Sequence, residues 1–273
     1  MIQDIAPSIL RNAYEKNTPR EDDYVLFFDE NGKILTSIRH GEVRFLTEGE
    51  MPVKETIYLF AVDEKRYFLA EEVAECPSVE FAYRSLHELR DACTGTGLFA
   101  AFTAFHLWRW YRDNRYCGRC KGTLSLHDTE RALRCKACGN VIYPRINPAV
   151  IVGVKKGDSL LITRYRNGYA HNALVAGFTE IGETLEQTVE REVMEETGVK
   201  VKNIRYYKSQ PWGTAQDILT GFFCEADGDG EIRMDENELQ YAEWVKREDI
   251  VLQPQPFSLT NEMMKLFKEG LES

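Results

Sequence analysis

Gly177-Phe-Thr-Glu-Ile-Gly182-Glu183-Thr184-Leu-Glu-Gln187-Thr-Val-Glu-Arg191-Glu192-Val-Met-Glu195-Glu196-Thr-Gly198-Val199 is the stretch whose reading decides the fold. It predicts a glycine-bearing loop followed by a short helix. Thr184 is a good N-cap, and Gln187 stands three residues on, the spacing of a capping box. Leu185, Val189 and Val193 recur every fourth residue and give the helix one face to bury. Gly198 supplies a left-handed stop. The far end is odd. Glu192, Glu195 and Glu196 project together, although like charges at that spacing repel and the helix C-terminus prefers cations. Such a cluster calls for positive compensation, and several hard oxygen ligands on one rigid helix suit Mg²⁺ or Mn²⁺. Arg191 is placed to orient one carboxylate through a two-pronged hydrogen bond. An acidic, solvated helix face is the plainer alternative.

Working outward, the chain has 273 residues, which favours two or three domains. Its 43% hydrophobic and 29% charged residues are those of a soluble globular protein. The longest apolar stretch, Leu98 to Leu107, is too short for a membrane span and is interrupted by Thr103 and His106. Met-Ile-Gln-Asp-Ile at the N-terminus carries no secretory pattern, so a cytoplasmic location is expected, without membrane partners. A net charge of −10 argues against a surface generally coated by nucleic acid but leaves room for a local basic patch.

The first hundred residues begin as strands. Asn31-Gly32 between Tyr24–Phe28 and Lys33–Ile38 signals one hairpin, and Asp63-Glu-Lys65 between Ile57–Val62 and Arg66–Ala70 a second. Helical spacing is read from Phe81 to Leu89, then a Thr-Gly-Thr-Gly break at 94–97, then a second helix from Leu98 to about Asp113. This part reads as a packing or dimerisation module. Near its end Trp108, Trp110, Tyr111 and Tyr116 interleave with Arg109, Arg112, Arg115, Arg119 and Lys121. Two readings stay open there: phosphate binding with base stacking, or core aromatics flanked by solvated arginines.

Cys117-x2-Cys120 and Cys135-x2-Cys138 are separated by fourteen residues, close to zinc-ribbon spacing. Four thiolates fill a tetrahedral sphere, so one structural Zn²⁺ per chain is expected. The remaining Cys76, Cys93 and Cys224 are expected to be buried small apolar side chains. Tyr143-Pro-Arg-Ile-Asn-Pro148 then reads as an extended linker. Beyond it, Ala149–Lys155 and Ser159–Thr163 read as neighbouring strands, with further strands after the Glu-rich helix and a terminal helix from about Ser258.

The quoted stretch matches Gly-x5-Glu-x7-Arg-Glu-(apolar)-x-Glu-Glu-x-Gly-(apolar) and so resembles the Nudix box at every defining position. With the cysteine ribbon, Tyr-Pro-Arg-x-x-Pro-Ala-Val-Ile and Ser209-Gln210-Pro211-Trp212, nearly the whole chain is similar to the NADH pyrophosphatase family of Nudix hydrolases, which also removes NAD caps from RNA. The fold class implied is α/β: a Nudix α/β/α sandwich at 144–273, preceded by a zinc ribbon at 113–143 and an α+β N-terminal domain at 1–112. Homodimers are implied as well.

Residue by residue, the resemblance implies that Glu192, Glu196, Glu238 and the Ala176 carbonyl hold Mg²⁺ or Mn²⁺. It makes Glu195 the proton acceptor, and Glu183 either a positioner of waters or a ligand itself. Tyr143 would stack on the substrate base, with Glu130 nearby. Gln210, Pro211, Trp212, Gly213, Thr214, Ala215, Gln216 and Asp217 would line the pocket, reached by Thr260 and by Arg84. The implied reaction is hydrolysis of NAD(H) to AMP and nicotinamide mononucleotide, extending to NAD-capped RNA. The chain departs from the family at one place. Where Pro-Phe-Pro-x-Ser normally follows Trp212, it carries Gly213-Thr-Ala-Gln-Asp217, which is expected to be looser and less apolar. ADP-ribose or FAD as substrate, or a ligand-sensing nucleic-acid-binding protein, are the alternatives.

Overall fold

A computed structural model describes residues 1–166 and 171–272. The chain forms two compact units, one of Met1, 146–212 and 217–273, the other of 2–145 and 213–216.

The unit built mainly from the N-terminal half contains strands β1 (Leu10–Arg11), β2 (Tyr24–Leu26), β3 (Ile34–Arg39), β4 (Glu42–Arg44), β5 (Leu46–Thr47), β6 (Thr56–Val62), β7 (Lys65–Ala70) and β8 (Ala82–Arg84). Helices α1 (Leu86–Ala92) and α2 (Gly95–Asp113) follow, then β9 (Leu124–Leu126), β10 (Leu133–Cys135) and β11 (Val141–Ile142). The sheets are ordered β1-β6-β7-β2-β5, β4-β3-β8 and β11-β10-β9. The β6–β7 hairpin forms as the sequence predicts, with Asp63 in the left-handed region at its turn.

Two local expectations are corrected, and a third is met only close to its turn. The Asn31-Gly32 hairpin closes, with Phe28 bridged antiparallel to Ile34 and the Leu35 N–H donating to Phe27 O, and beyond it the two strands pair in different sheets. Ala82–Arg84 is a strand paired with β3, not helix; α1 starts only after Ser85, whose capping box with Glu88 fixes the boundary. Gly95 and Gly97 are not a break but the first turn of α2, where a Cβ on Gly97 would lie 2.7 Å from the Val43 carbonyl. Glycine there lets the helix cross β4 closely. Of the single cysteines, Cys93 and Cys224 are buried, whereas Cys76 is exposed in the connection between β7 and β8.

The second unit contains β12 (Asn147–Lys156), β13 (Ser159–Tyr165), β14 (Val175–Phe178), α3 (Leu185–Thr197), β15 (Val201–Trp212), β16 (Asp217–Ala226), β17 (Leu239–Lys246) and α4 (Leu259–Glu269). Its sheet runs β15-β16-β12-β13-β17, with β14 also paired to β12 and β12 parallel to β16. Strand alternation sorts the side chains onto two faces. Val150, Val152, Val154, Phe222 and Cys224 pack under Val189 and Val193 of α3. Ile151 and Phe223 pack under Leu259, Met263 and Phe267 of α4. This is an α/β/α sandwich. Burying those apolar side chains, at about 1.5–3 kcal/mol each, is what anchors α3 despite its repelling carboxylates. No helix among the described residues is long and apolar enough to cross a membrane.

Candidate active site

The local signals around α3 act as the sequence predicts. Thr184 caps the helix, its side chain accepting from the Gln187 N–H (3.2 Å) while Gln187 accepts from the Thr184 N–H (2.8 Å). Gly198 closes the helix at φ 70°. The positive compensation is Arg191. Its Nε donates to Glu183 (2.6 Å), Nη1 to Glu192 (2.8 Å) and Glu195 (3.0 Å), and Nη2 to the second Glu183 oxygen (3.0 Å) and Phe178 O (2.9 Å). One guanidinium thereby ties the loop before the helix to its acidic end. Arg191 holds the Glu183 carboxyl down to about 2, with the Glu180 N–H helping.

Glu196 stands apart from this network. It is 2% exposed, and its two oxygens accept from the Tyr165 hydroxyl at 3.1 and 3.3 Å, with the Ala176 N–H also directed at the carboxylate. Burial, joined by the charges of Glu192 and Glu238, pushes its carboxyl up to about 8 against those hydrogen bonds. Glu192 is raised too, burial being the chief cause. The same tyrosine hydroxyl accepts from the Ala176 N–H (3.1 Å), which holds β14 beside the carboxylates. The next residue is Gly177. A Cβ there would overlap the Glu192 carboxylate, so glycine is what lets the acid lie against the strand. A buried and a half-buried carboxylate on one helix, a third carboxylate acting on both, and a carbonyl-bearing strand alongside form a set of hard donors that fits a divalent cation. That cation would relieve the raised Glu192 and Glu196.

A NUDIX domain model matches residues 144–267. The NAD-capped RNA hydrolase NudC of Citrobacter koseri is 36% identical over 237 residues, covering 84% of this chain and 90% of that protein. The protein of the same description from Escherichia coli O1:K1 / APEC is 36% identical over 236 residues, with the same coverage. This chain belongs to the NAD-capped RNA hydrolase family of Nudix enzymes. Nudix hydrolases use divalent metals, in keeping with the donor set on α3.

The other residues singled out in the sequence fall into separate groups. Glu238 is exposed just before β17, its carbonyl held by the Arg166 N–H (2.9 Å). Gln210 is fully buried; its Nε2 donates to Phe257 O (2.7 Å) and its Oε1 accepts from Leu259 N (2.8 Å) at the start of α4, beside the buried Thr260. Pro211 pairs with Ile218, and Trp212 with Asp217, across β15 and β16. Asp217 is 5% exposed, one carboxylate oxygen has no hydrogen-bond partner, and burial pushes its carboxyl up to about 7.

The turn 213–216 belongs with the first unit. It is not loose: a Cβ on Gly213 would overlap Phe102 O, Arg109 Nη1 donates to Thr214 O (3.0 Å), Ala215 is half-buried and Gln216 is buried at φ 56°. In that unit too, the exposed Tyr143 donates to Glu130 (2.8 Å), while Arg84 donates to Thr36 O and Ala82 O.

Sequence reading missed Tyr165. A lone tyrosine ending a strand carries no signal, and a register shift between Arg164 and Tyr165 is what accompanies its turn toward Glu196.

The four cysteines come together in a cluster with the donor set and spacing to hold a metal ion. Their sulfurs lie within 4.8 Å of one another, with Cys117–Cys138 at 3.8 Å and Cys120–Cys135 at 3.4 Å. A tetrahedron with metal–sulfur bonds of about 2.3 Å has edges of about 3.8 Å, so the cage is of the right size. The Arg119 and Cys120 N–H groups draw the Cys117 thiol down to about 6. At Cys120 the Gly122 N–H favours the thiolate, but Cys138 and Cys135 outweigh it and push the thiol up to about 12. Sulfurs competing for protons in this way are the donor set a soft divalent cation satisfies.

Proposed function

We propose that the chain hydrolyses the pyrophosphate of NAD(H), giving AMP and nicotinamide mononucleotide, and also acts on NAD-capped RNA. The observation that carries this is the carboxylate set on α3, clamped by Arg191, in a chain 36% identical to NAD-capped RNA hydrolases over 84% of its length. Glu192, Glu196, Glu238 and the Ala176 carbonyl are the ligands proposed for Mg²⁺ or Mn²⁺. Such cations, when bound, neutralise phosphate charge and acidify a coordinated water. Glu195, held by Arg191, takes the proton as the water oxygen joins one phosphorus and the bridging P–O bond breaks. Glu183 fixes Arg191 and with it Glu192.

In this reading Tyr143 and Glu130 take the base, and Gln210 to Asp217, Thr260 and Arg84 contact the rest of the dinucleotide. The functional division is 1–112, 113–143 and 144–273, with one zinc on the cysteines, a homodimer joined through the N-terminal domain, and residence in the cytoplasm. One observation favours a second substrate. The buried, incompletely partnered Asp217 ends a turn unlike the family's, which suits a different nucleoside diphosphate such as ADP-ribose or FAD. Hydrolysis of NADH, NAD, ADP-ribose, FAD and an NAD-capped oligoribonucleotide, each with Mg²⁺ and with Mn²⁺, tests both readings. Preference for NADH or NAD with release of AMP is the expected result. Preference for ADP-ribose or FAD transfers the substrate to the second reading, and no turnover on any of them refutes both.

A further inference from the structure

The turn 213–216, Gly-Thr-Ala-Gln, has little in its own sequence to fix it. No proline limits its backbone, and Gly213 widens its freedom. Its internal bond, from the Gln216 N–H to Gly213 O, is long at 3.3 Å. Gln216 sits in the left-handed region at φ 56°, a conformation that a residue with a side chain keeps only when its surroundings enforce it. Yet Gly213 and Gln216 are both buried. The order comes from outside the turn.

One stripe of α2 supplies it. Phe102, His106 and Arg109 stand at i, i+4 and i+7 and so share a face of that helix. A Cβ on Gly213 would lie 2.2 Å from the Phe102 carbonyl and 3.4 Å from the His106 Cβ, so the chain passes as close to the helix as a glycine allows. Further along the stripe, Arg109 Nη1 donates to the Thr214 carbonyl at 3.0 Å. A charged donor on a backbone acceptor holds more firmly than a neutral one. Asp113 Oδ2, one turn on, lies 3.8 Å from Arg109 Nε and helps to aim the guanidinium. With 39% of its side chain exposed between the buried Trp108 and Trp110, Arg109 is placed for reach rather than for packing. The same stripe also touches the linker: His106 Nε2 donates to Arg145 O at 2.8 Å, two residues beyond Tyr143.

We propose that Arg109 is a specificity-determining positioning residue, which holds the turn 213–216 in the shape that selects the dinucleotide. This rests on the reading that the turn contacts substrate. The carboxylates on α3 have no part in the grip, so its effect falls on KM and on the choice among substrates rather than on kcat. Because the acceptor is a backbone carbonyl, the grip is set from α2 and is blind to the side chain at Thr214.

Arg109→Ala, Arg109→Lys, Gly213→Ala and Asp113→Asn are compared with wild type in initial-rate hydrolysis of NADH, NAD, ADP-ribose and FAD under saturating Mg²⁺ or Mn²⁺. Hydrogen exchange of the peptide spanning 213–216 and thermal melting are recorded on the same samples. Arg109→Ala should raise KM for the preferred substrate at least about fivefold, keep kcat within about twofold, narrow the gap to the next substrate and speed exchange in the turn. Gly213→Ala, which pushes the turn off Phe102, should reproduce the rise in KM, and the double variant should show less than the product of the two effects. Arg109→Lys, with the charge kept and the reach shortened, should lie between alanine and wild type. Asp113→Asn should match wild type, tying the effect to the Thr214 bond and not to the ion pair. Unchanged KM with unchanged exchange in Arg109→Ala would show that the turn is held without Arg109 and would overturn this inference alone. Faster exchange with unchanged KM would place the turn away from substrate, ending the pocket reading and this inference with it. A fall in kcat equal to that in kcat/KM would move the loss to the chemical step and also overturn it. Should Arg109→Ala melt below the assay temperature, Arg109→Lys and Gly213→Ala decide.

Discussion

Asp217→Asn should make the protein more resistant to rising pH. The carboxyl is 5% exposed, and burial lifts it from 3.8 to about 7. The native value lies above the unfolded one, so the native state holds a proton that the unfolded chain releases. Stability from this group is therefore complete below about pH 3.8 and is lost as pH rises toward 7. About three units at about 1.36 kcal/mol each give a loss of about 4 kcal/mol between those limits. Asparagine does not titrate there. Its amide carries a fixed offset of its own, about 1–3 kcal/mol if one donor stays unsatisfied, but that offset is the same at every pH. The quantity to follow is thus the difference in melting temperature between variant and wild type from pH 4.5 to 8. At about 2–4 °C per kcal/mol it should grow by on the order of ten degrees in favour of the asparagine. Parallel curves across that range would show that Asp217 is solvated or paired in the native protein and would refute the argument.

Three further outcomes follow from the two proposed metal sites. Glu196→Gln removes a buried charged donor and should lower turnover at least about a hundredfold, read as AMP released under saturating Mg²⁺ or Mn²⁺; near-normal turnover would remove Glu196 from the machinery. Gly177→Ala puts a methyl where the Glu192 carboxylate lies, so kcat should fall about ten- to a hundredfold with little change in urea midpoint, and unchanged kcat would mean that the carboxylate works from another position. Cys135→Ser should release zinc, measured by plasma mass spectrometry, and lower the melting temperature; one zinc per chain at full stability would contradict a four-thiolate site.

What could be read from the sequence was what local physics decides. The Thr184–Gln187 box, the Gly198 stop and the apolar face through Val189 and Val193 depend on neighbours within four residues, and each is where the pattern puts it. The two Cys-x-x-Cys turns are similarly self-contained and needed only to meet. The start of α2 was hidden because the reason for Gly97 is a carbonyl on β4, fifty-four residues before it in the chain. The strands beside Asn31-Gly32 were assigned to one hairpin because the turn is local while their stronger partners are not. Tyr165 escaped for the same reason: nothing near it in sequence says that it will face Glu196. The fan of Arg191 was half-legible, since its bond to Glu195 follows helix spacing but its grip on Glu183 and Phe178 requires the loop to fold back.

The costly features of the second unit gather about α3 and the strands beside it. Three carboxylates crowd the negative end of α3, one of them in apolar surroundings. A glycine interrupts β14, where a side chain would pack better but for Glu192. A buried acid opens β16 with one oxygen unpartnered. Each could be relieved by a single substitution, and each persists in a unit whose two apolar layers are otherwise well filled. Local rules broken together, beside helices whose caps and core obey them, mark a place where the chain serves chemistry rather than stability. Arg191 makes the point most directly. It neutralises Glu183, Glu192 and Glu195 but has no recorded bond to Glu196, although Glu196 is the most deeply buried of the four. A helix built only to be stable would spend its one arginine there; this one spends it on holding the other three in place.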